Sequence, residues 1–192
     1  GTSWMGMYAL NMMDIAVEIA VQDRSFEDSA TKFFEHFVLI AEALNELGLW
    51  CPEDKFFYDV LTRPGADPLL MRIQSVVGLS SLFAVSIIDK SVLQKLPDFA
   101  KRSHWFEKFR KRNGKYWPNE ERADNNNILV SLIAKDRLVS LLERMINEAE
   151  FLSEGGIRAL SKYHEKNPYS VTLDGHTYSI QYDPGDSTSD FF

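Results

Sequence analysis

GTSWMGMYALNMMDIAVEIAV, residues 1–21, is the stretch that decides the fold class. From Trp4 to Val21 its polar positions are Asn11, Asp14 and Glu18, continued by Gln22. Spacings of three and four place them on one narrow helical stripe, with Met, Leu, Ile, Val and Ala almost everywhere else. A helix that is apolar round most of its circumference is covered by neighbours on several sides. The segment therefore reads as an inner helix.

The following segment has the opposite character. Ser25 is a good N-cap, and Asp28 falls in the first turn, where the helix dipole favours a carboxylate. Phe33, Phe37, Ile40, Leu44 and Leu47 follow at four-three-four-three spacing, Lys32, Glu35, Glu42 and Glu46 take the other face, and Gly48 supplies the stop. This is a one-faced outer helix. The alternation recurs: Val76 to Ile88 is again apolar nearly all round, whereas Asp98 to Arg112 scatters Phe99, Trp105, Phe106 and Phe109 among charges.

Between and after these pairs lie shorter elements. Phe56–Leu61, the turn-forming run Arg63-Pro64-Gly65-Ala66-Asp67-Pro68 and Leu69–Gln74 read as one hairpin. Tyr169–Tyr182 alternates around Asp174-Gly175 and reads as a second. The asparagine-rich stretch 113–127 reads as a surface loop, 128–133 as a short extended run, and 135–150 as an amphipathic helix with Leu138, Leu141, Leu142, Met145 and Ile146 inward. The expectation is a mainly α fold: a partial (α/α)6 toroid of inner and outer helices, with two short β-hairpin insertions, residues 1–192 forming part of a single domain.

Composition narrows the function classes. A chain of 192 residues that is 45% hydrophobic can bury one sizeable core. The balance of 21 Lys+Arg against 28 Asp+Glu gives −7, which argues against nucleic acid or an anionic membrane as the main partner. No apolar run reaches the roughly 18 residues of a membrane span. Cys51, alone, excludes an internal disulfide framework and reads as a small core residue beside a loop. His36, His104, His164 and His176 form no HxH or HExxH group, so no metal site and no cofactor are expected. Both ends read as cut from a longer polypeptide: Gly1 opens without Met directly into the apolar helix, and Phe191-Phe192 ends the chain without a polar tail. The compartment is left open, with the cytoplasm as the default.

Several blocks resemble glycoside hydrolase family 63, which includes processing α-glucosidases and mannosylglycerate hydrolase-like enzymes. They are the opening Gly-Thr-Ser-Trp-Met with Tyr8-Ala9-Leu10-Asn11-Met12-Met13, then Ala30–Phe37, Phe56-Phe57-Tyr58-Asp59, Val76-Val77-Gly78-Leu79 with Leu82–Val85, and Glu150–Ser153 running into Gly156–Ser161 and Tyr163-His164. Their order and spacing fit along almost the whole chain. The resemblance implies an (α/α)6 fold and an inverting exo-glycosidase acting on an α-linked glucoside or mannoside, in which one carboxylic acid protonates the leaving oxygen and a second carboxylate activates water. The family's acid, an Asp, would lie before residue 1 and its base, a Glu, beyond residue 192, so no catalytic residue is assigned within the chain.

Four residues are candidates for substrate binding. Trp4 would stack on a sugar face or pack in the core; Arg72 and Arg158 would bind hydroxyls or a carboxylated aglycone, or serve as structural ion pairs. Asp59, set among aromatics, fits a sugar-binding wall or a hairpin-stabilising role. Tyr163 and His164 default to a packed ring and a surface imidazole. The partners implied are a carbohydrate substrate and either the remainder of the same toroid or a second copy through self-association. Two other readings stay open: a non-catalytic helical-repeat interaction module, and a toroid that serves a sugar epimerase or polysaccharide lyase. Carboxylates at the two expected family positions would separate the glycosidase from both.

Overall fold

The computed structural model describes residues 1–121 and 127–189. In chain order it contains α1 (Thr2–Ala20), a 3-10 turn (Arg24–Phe26), α2 (Glu27–Glu46), β1 (Trp50–Cys51), β2 (Phe56–Phe57), β3 (Asp59–Leu61), β4 (Leu69–Met71), α3 (Val76–Leu79), a 3-10 turn (Ser80–Phe83), β5 (Val85–Asp89), α4 (Lys90–Lys95), α5 (Pro97–Arg112), β6 (Asn119–Glu121), β7 (Asn127–Ser131), α6 (Lys135–Met145), β8 (Leu152–Ser153), β9 (Gly156–Ile157), a 3-10 turn (Lys162–Glu165), β10 (Tyr169–Leu173), β11 (His176–Asp183) and β12 (Asp186–Ser189). They fall into two compact units. The first joins Gly1–Gly48 to Ser80–Ala134, and the second joins Leu49–Leu79 to Lys135–Phe192.

In the first unit α1 and α2 form a helical hairpin. The buried face of α1 is made of small and flexible residues, Gly6, Ala9, Leu10, Met13, Ala16, Val17 and Ala20, which let a neighbour approach closely. At Gly6 a Cβ would stand 2.7 Å from Leu132 Cδ1, so a larger residue there would require the leucine side chain to shift. On α2 the buried apolar residues are Ala30, Phe34, Phe37, Val38, Ala41 and Leu44, so Phe37 and Leu44 lie inward as expected, whereas Phe33 and Ile40 are half-buried and Leu47, past the last turn, is exposed. Each fully buried Phe contributes about 1.5–3 kcal/mol. Ser25 does not cap α2. The Asp23 carboxylate accepts from the Ser25 amide at 3.0 Å and starts a 3-10 turn, which defers α2 to Glu27. Helix α5 packs on α2 through Phe99, edge-on to Phe34 at 6.1 Å between ring centres. Arg110, buried, reaches Glu42 at 2.8 Å, and its bond holds the Glu42 carboxyl below its ordinary range despite burial.

The toroid expectation is overturned. Val76 to Ile88 is not an inner helix: α3 lasts four residues, a 3-10 turn follows, and Val85–Asp89 is strand β5. Its β-branched Val85, Ile87 and Ile88 pair antiparallel with β7, Ile87 opposite Leu129 and Ile88 opposite Ile128. An apolar run suits a buried strand as well as a buried helix, and the non-local partner decides. Among the described residues twelve strands make five small antiparallel sheets, in place of a ring of alternating helices. The 113–127 stretch contributes to one of them, since β6 pairs with β7 at Asn119↔Val130; residues 122–126 lie outside the described residues.

The second unit holds both expected hairpins. β3 pairs with β4, Asp59 opposite Met71. β10 pairs with β11 across Asp174 (φ 51°) and Gly175 (φ 83°), the double positive φ of the hairpin turn that this dipeptide favours. A third strand, β12, extends that sheet. Phe56 and Phe57 pair instead with Trp50 and Cys51. Phe56 stacks on Phe151 at 5.8 Å and carries the Arg144 guanidinium 5.1 Å above its ring. Gly78 of α3 lies so close that a Cβ would meet Phe56 Cε1 at 2.2 Å and the Phe57 carbonyl oxygen at 2.5 Å. The Tyr163/His164 expectation is reversed: Tyr163 is exposed and His164 is buried. Its Nε2 accepts from the Gln74 amide at 2.9 Å, so Nδ1 carries the proton and faces the Asn167 carbonyl at 2.8 Å. Among the described residues no helix is long and apolar enough to cross a membrane, and no group of His, Cys, Asp and Glu is placed to hold a metal ion.

Candidate functional site

The site is built on one buried carboxylate. Helix α5 begins with Leu96 as N-cap, which has no side chain able to cap, and Pro97, which has no amide hydrogen. The next two amides, Asp98 and Phe99, would be orphaned. Glu27, seventy-odd residues earlier at the start of α2, accepts both, at 2.8 and 2.9 Å, through Oε2. Its Oε1 accepts from Arg24 Nε at 2.9 Å. Burial pushes the Glu27 pKa up, but the Phe99 amide, Arg24 and the Asp98 amide outweigh it, and the carboxyl titrates below its ordinary value. The first turns of α2 and α5 are thereby pinned side by side.

Between them opens a cleft of about 600 Å³. Glu27 and Thr31 belong to its lining together with Arg24, Asp28, Asp98, Lys101, Arg102 and Trp105. Arg102 pairs with Asp28 at 3.0 Å. Trp105 is 61% exposed although it is the bulkiest side chain of the lining. Phe109 stacks parallel to it, one turn on, with ring centres 5.5 Å apart and planes within 13°. An aromatic face backed by a second ring, beside mixed guanidinium, ammonium and carboxylate groups, can hold a ligand with one apolar face and a rim of hydroxyls. Both oxygens of Glu27 are occupied by hydrogen bonds, Oε1 from Arg24 and Oε2 from the two amides, so this carboxylate serves the helix ends. Asp28 is ion-paired.

The second unit has a smaller cleft of about 340 Å³, bordered by Glu53, Asp54, Lys55, Glu143, Arg144 and Glu150. Arg144 meets Glu150 there at 3.3 Å, and no aromatic ring belongs to its lining. Nearby, Asp54 Oδ2 accepts from the Tyr58 hydroxyl at 2.9 Å, and burial raises the Tyr58 pKa. Cys51 is buried, with its thiol donating to Glu53 at 3.0 Å, and burial pushes its pKa up.

The four residues singled out from sequence line neither cleft. Trp4 is in the first unit, exposed on α1 and edge-on to Phe83 at 6.4 Å. Asp59, Arg72 and Arg158 are in the second. Asp59 is exposed on β3. Arg72, also exposed, sits 3.8 Å from Glu53 and 3.9 Å from Asp54, long ion pairs worth little in water. The Arg158 guanidinium is committed to structure: it donates to the carbonyls of Glu148 (3.1 Å), Glu150 and Leu152 and to the Tyr182 hydroxyl (3.1 Å), tying the 148–152 turn to β11. The sequence names Trp105 only as one of four aromatics scattered among the charges of 98–112. The available signal was a large aromatic flanked by Lys101, Arg102, His104 and Lys108.

The chain is 35% identical, over 209 aligned positions, to the uncharacterized protein YMR196W of Saccharomyces cerevisiae. The match takes in all of this chain. It spans 19% of the yeast protein's length. No family model matches the chain, and no solved structure matches it.

Proposed function

We propose that this chain is a saccharide-holding, non-catalytic segment of a longer glycoside hydrolase acting on an α-linked glucoside or mannoside. The observation that carries the reading is Trp105, exposed at a 600 Å³ cleft rimmed by Arg24, Asp28, Lys101 and Arg102. Pyranosides present C–H bonds on one face and hydroxyls at the edge. The indole would take the first, and the ionic rim the second. The ordered family 63-like blocks support the chemistry, and the yeast relative's length leaves room for a carboxylate pair elsewhere in such a polypeptide. In this reading the partners are the saccharide and the rest of that polypeptide.

Hydrolysis by inversion needs two carboxyl groups about 6.5–9.5 Å apart, one of them protonated. Both oxygens of Glu27 are already engaged by Arg24 and the Asp98 and Phe99 amides, and in this reading the reacting pair is supplied by the rest of the polypeptide, so the segment binds without turning over. Titration of the chain with methyl α-glucopyranoside, methyl α-mannopyranoside and maltose, followed by calorimetry, tests this. Saturable binding that Trp105→Ala weakens by roughly 1–2 kcal/mol, with no release of free sugar, is expected. Absence of saturable binding by all three sugars, or binding indifferent to Trp105→Ala, refutes it.

A further inference from the structure

Helix α1 has two apolar faces, and the described structure covers one. Exposed Met5, Tyr8, Ile15 and Ile19, with half-buried Met12 at their centre, follow at three-four-three-four spacing, the repeat by which one helix packs along another. Four of them are 56%, 57%, 52% and 41% exposed for Met5, Tyr8, Ile15 and Ile19. Trp4 flanks this seam and extends it to the exposed ring of Phe83. The exposed sides of α2 and α5 interrupt their apolar side chains (Leu39 on α2, Trp105 and Phe109 on α5) with charges such as Lys32, Lys101 and Arg102. A contiguous apolar stripe of this kind marks an interaction surface.

We infer that the stripe is the contact between two copies of this chain, packed antiparallel through α1. Three observations select this occupant. In the antiparallel register Met12 sits on the two-fold axis, Tyr8 lies opposite Ile15 of the second copy, and Met5 lies opposite its Ile19. The two flanking layers then pair a long or aromatic side chain with a β-branched one, and the two Met12 side chains meet at the centre, so the surface is complementary to itself. The charges agree. The acids Asp14 and Glu18 lie in the second half of α1, its first turn has no acid and its last turn no base. Antiparallel packing sets Glu18 of each copy against the positive end of the other's helix dipole, whereas a parallel pair would align Glu18 with Glu18. The area also suffices. With aromatic rings of roughly 150–250 Å² about half exposed, the seven side chains offer on the order of 700 Å² per copy, close to the ~800 Å² of a stable interface.

Sedimentation of the 192-residue chain should show a dimer, and Ile15→Lys, a substitution at an exposed position, should make it monomeric while leaving its circular dichroism unchanged and removing the concentration dependence of its melting temperature. Mixing Met5→Cys chains with Ile19→Cys chains under oxidising conditions should yield the mixed disulfide in preference to either homodimer; Cys51, being buried, stays out of the exchange. A chain that stays monomeric at every concentration overturns the inference and assigns the stripe to another polypeptide segment. A dimer untouched by Ile15→Lys overturns it in favour of a different surface, and preferential homodisulfides overturn the antiparallel register.

Discussion

Removing the Glu27 carboxylate should unfasten α5 from α2. The charge-assisted bonds from Asp98 and Phe99 are each of the kind worth about 1.5–3 kcal/mol, and an abandoned buried donor costs about 1–3 kcal/mol. Arg24 is mostly exposed and adds little. Glu27→Ala should therefore cost about 3–5 kcal/mol, a large part of an ordinary domain's 5–15 kcal/mol. Glu27→Gln keeps an oxygen acceptor but loses the charge and turns an NH2 group toward Arg24, for about 1–2 kcal/mol. Urea unfolding measures both, and amide exchange at Phe99 localises the effect. The pH dependence has a definite sign. A carboxyl whose folded pKa is depressed stabilises the fold above 4.5, and this contribution is lost as the pH falls through the lower folded value. Glu27→Gln should flatten stability in that acidic window and nowhere else. A loss below about 1 kcal/mol for Glu27→Ala, or Phe99 exchange no faster than in the parent, would refute the capping argument.

Two further outcomes follow from the second unit. Gly78→Ala should destabilise by about 1–3 kcal/mol or more, because the new Cβ meets the Phe57 carbonyl as well as the Phe56 ring and backbone cannot rotate aside; an unchanged melting curve would contradict this. Burial depresses the His164 pKa below 6.5, and protonation of Nε2 would also break its bond from Gln74; stability should thus fall as pH drops below 6.5, and His164→Gln should abolish that slope.

What was legible in the sequence was whatever local chemistry alone decides. Asp174-Gly175 announces its hairpin because both residues tolerate positive φ, and Pro97 with Asp98 opens α5 in the expected place. What stayed hidden depends on distant partners. Val85–Ile88 became a strand because β7 pairs with it, and His164 went inside because the Gln74 amide, ninety residues earlier, needs an acceptor. The Glu27 cap is of the same kind, so the cleft it organises, with Trp105 at its rim, could not be seen as one site. The apolar second face of α1 was plainly written, but its cover was assigned to a ring of helices that the strands of this fold replace.

The indole N–H resonances of Trp4, Trp50, Trp105 and Trp117 provide four reporters at separate places in the chain, and their response to saccharide tests the central claim most directly. On titration with methyl α-mannopyranoside, methyl α-glucopyranoside or maltose, the Trp105 resonance should shift saturably with the other three stationary. Shifts confined to Trp4 or Trp50, or no saturable shift at all, would contradict it.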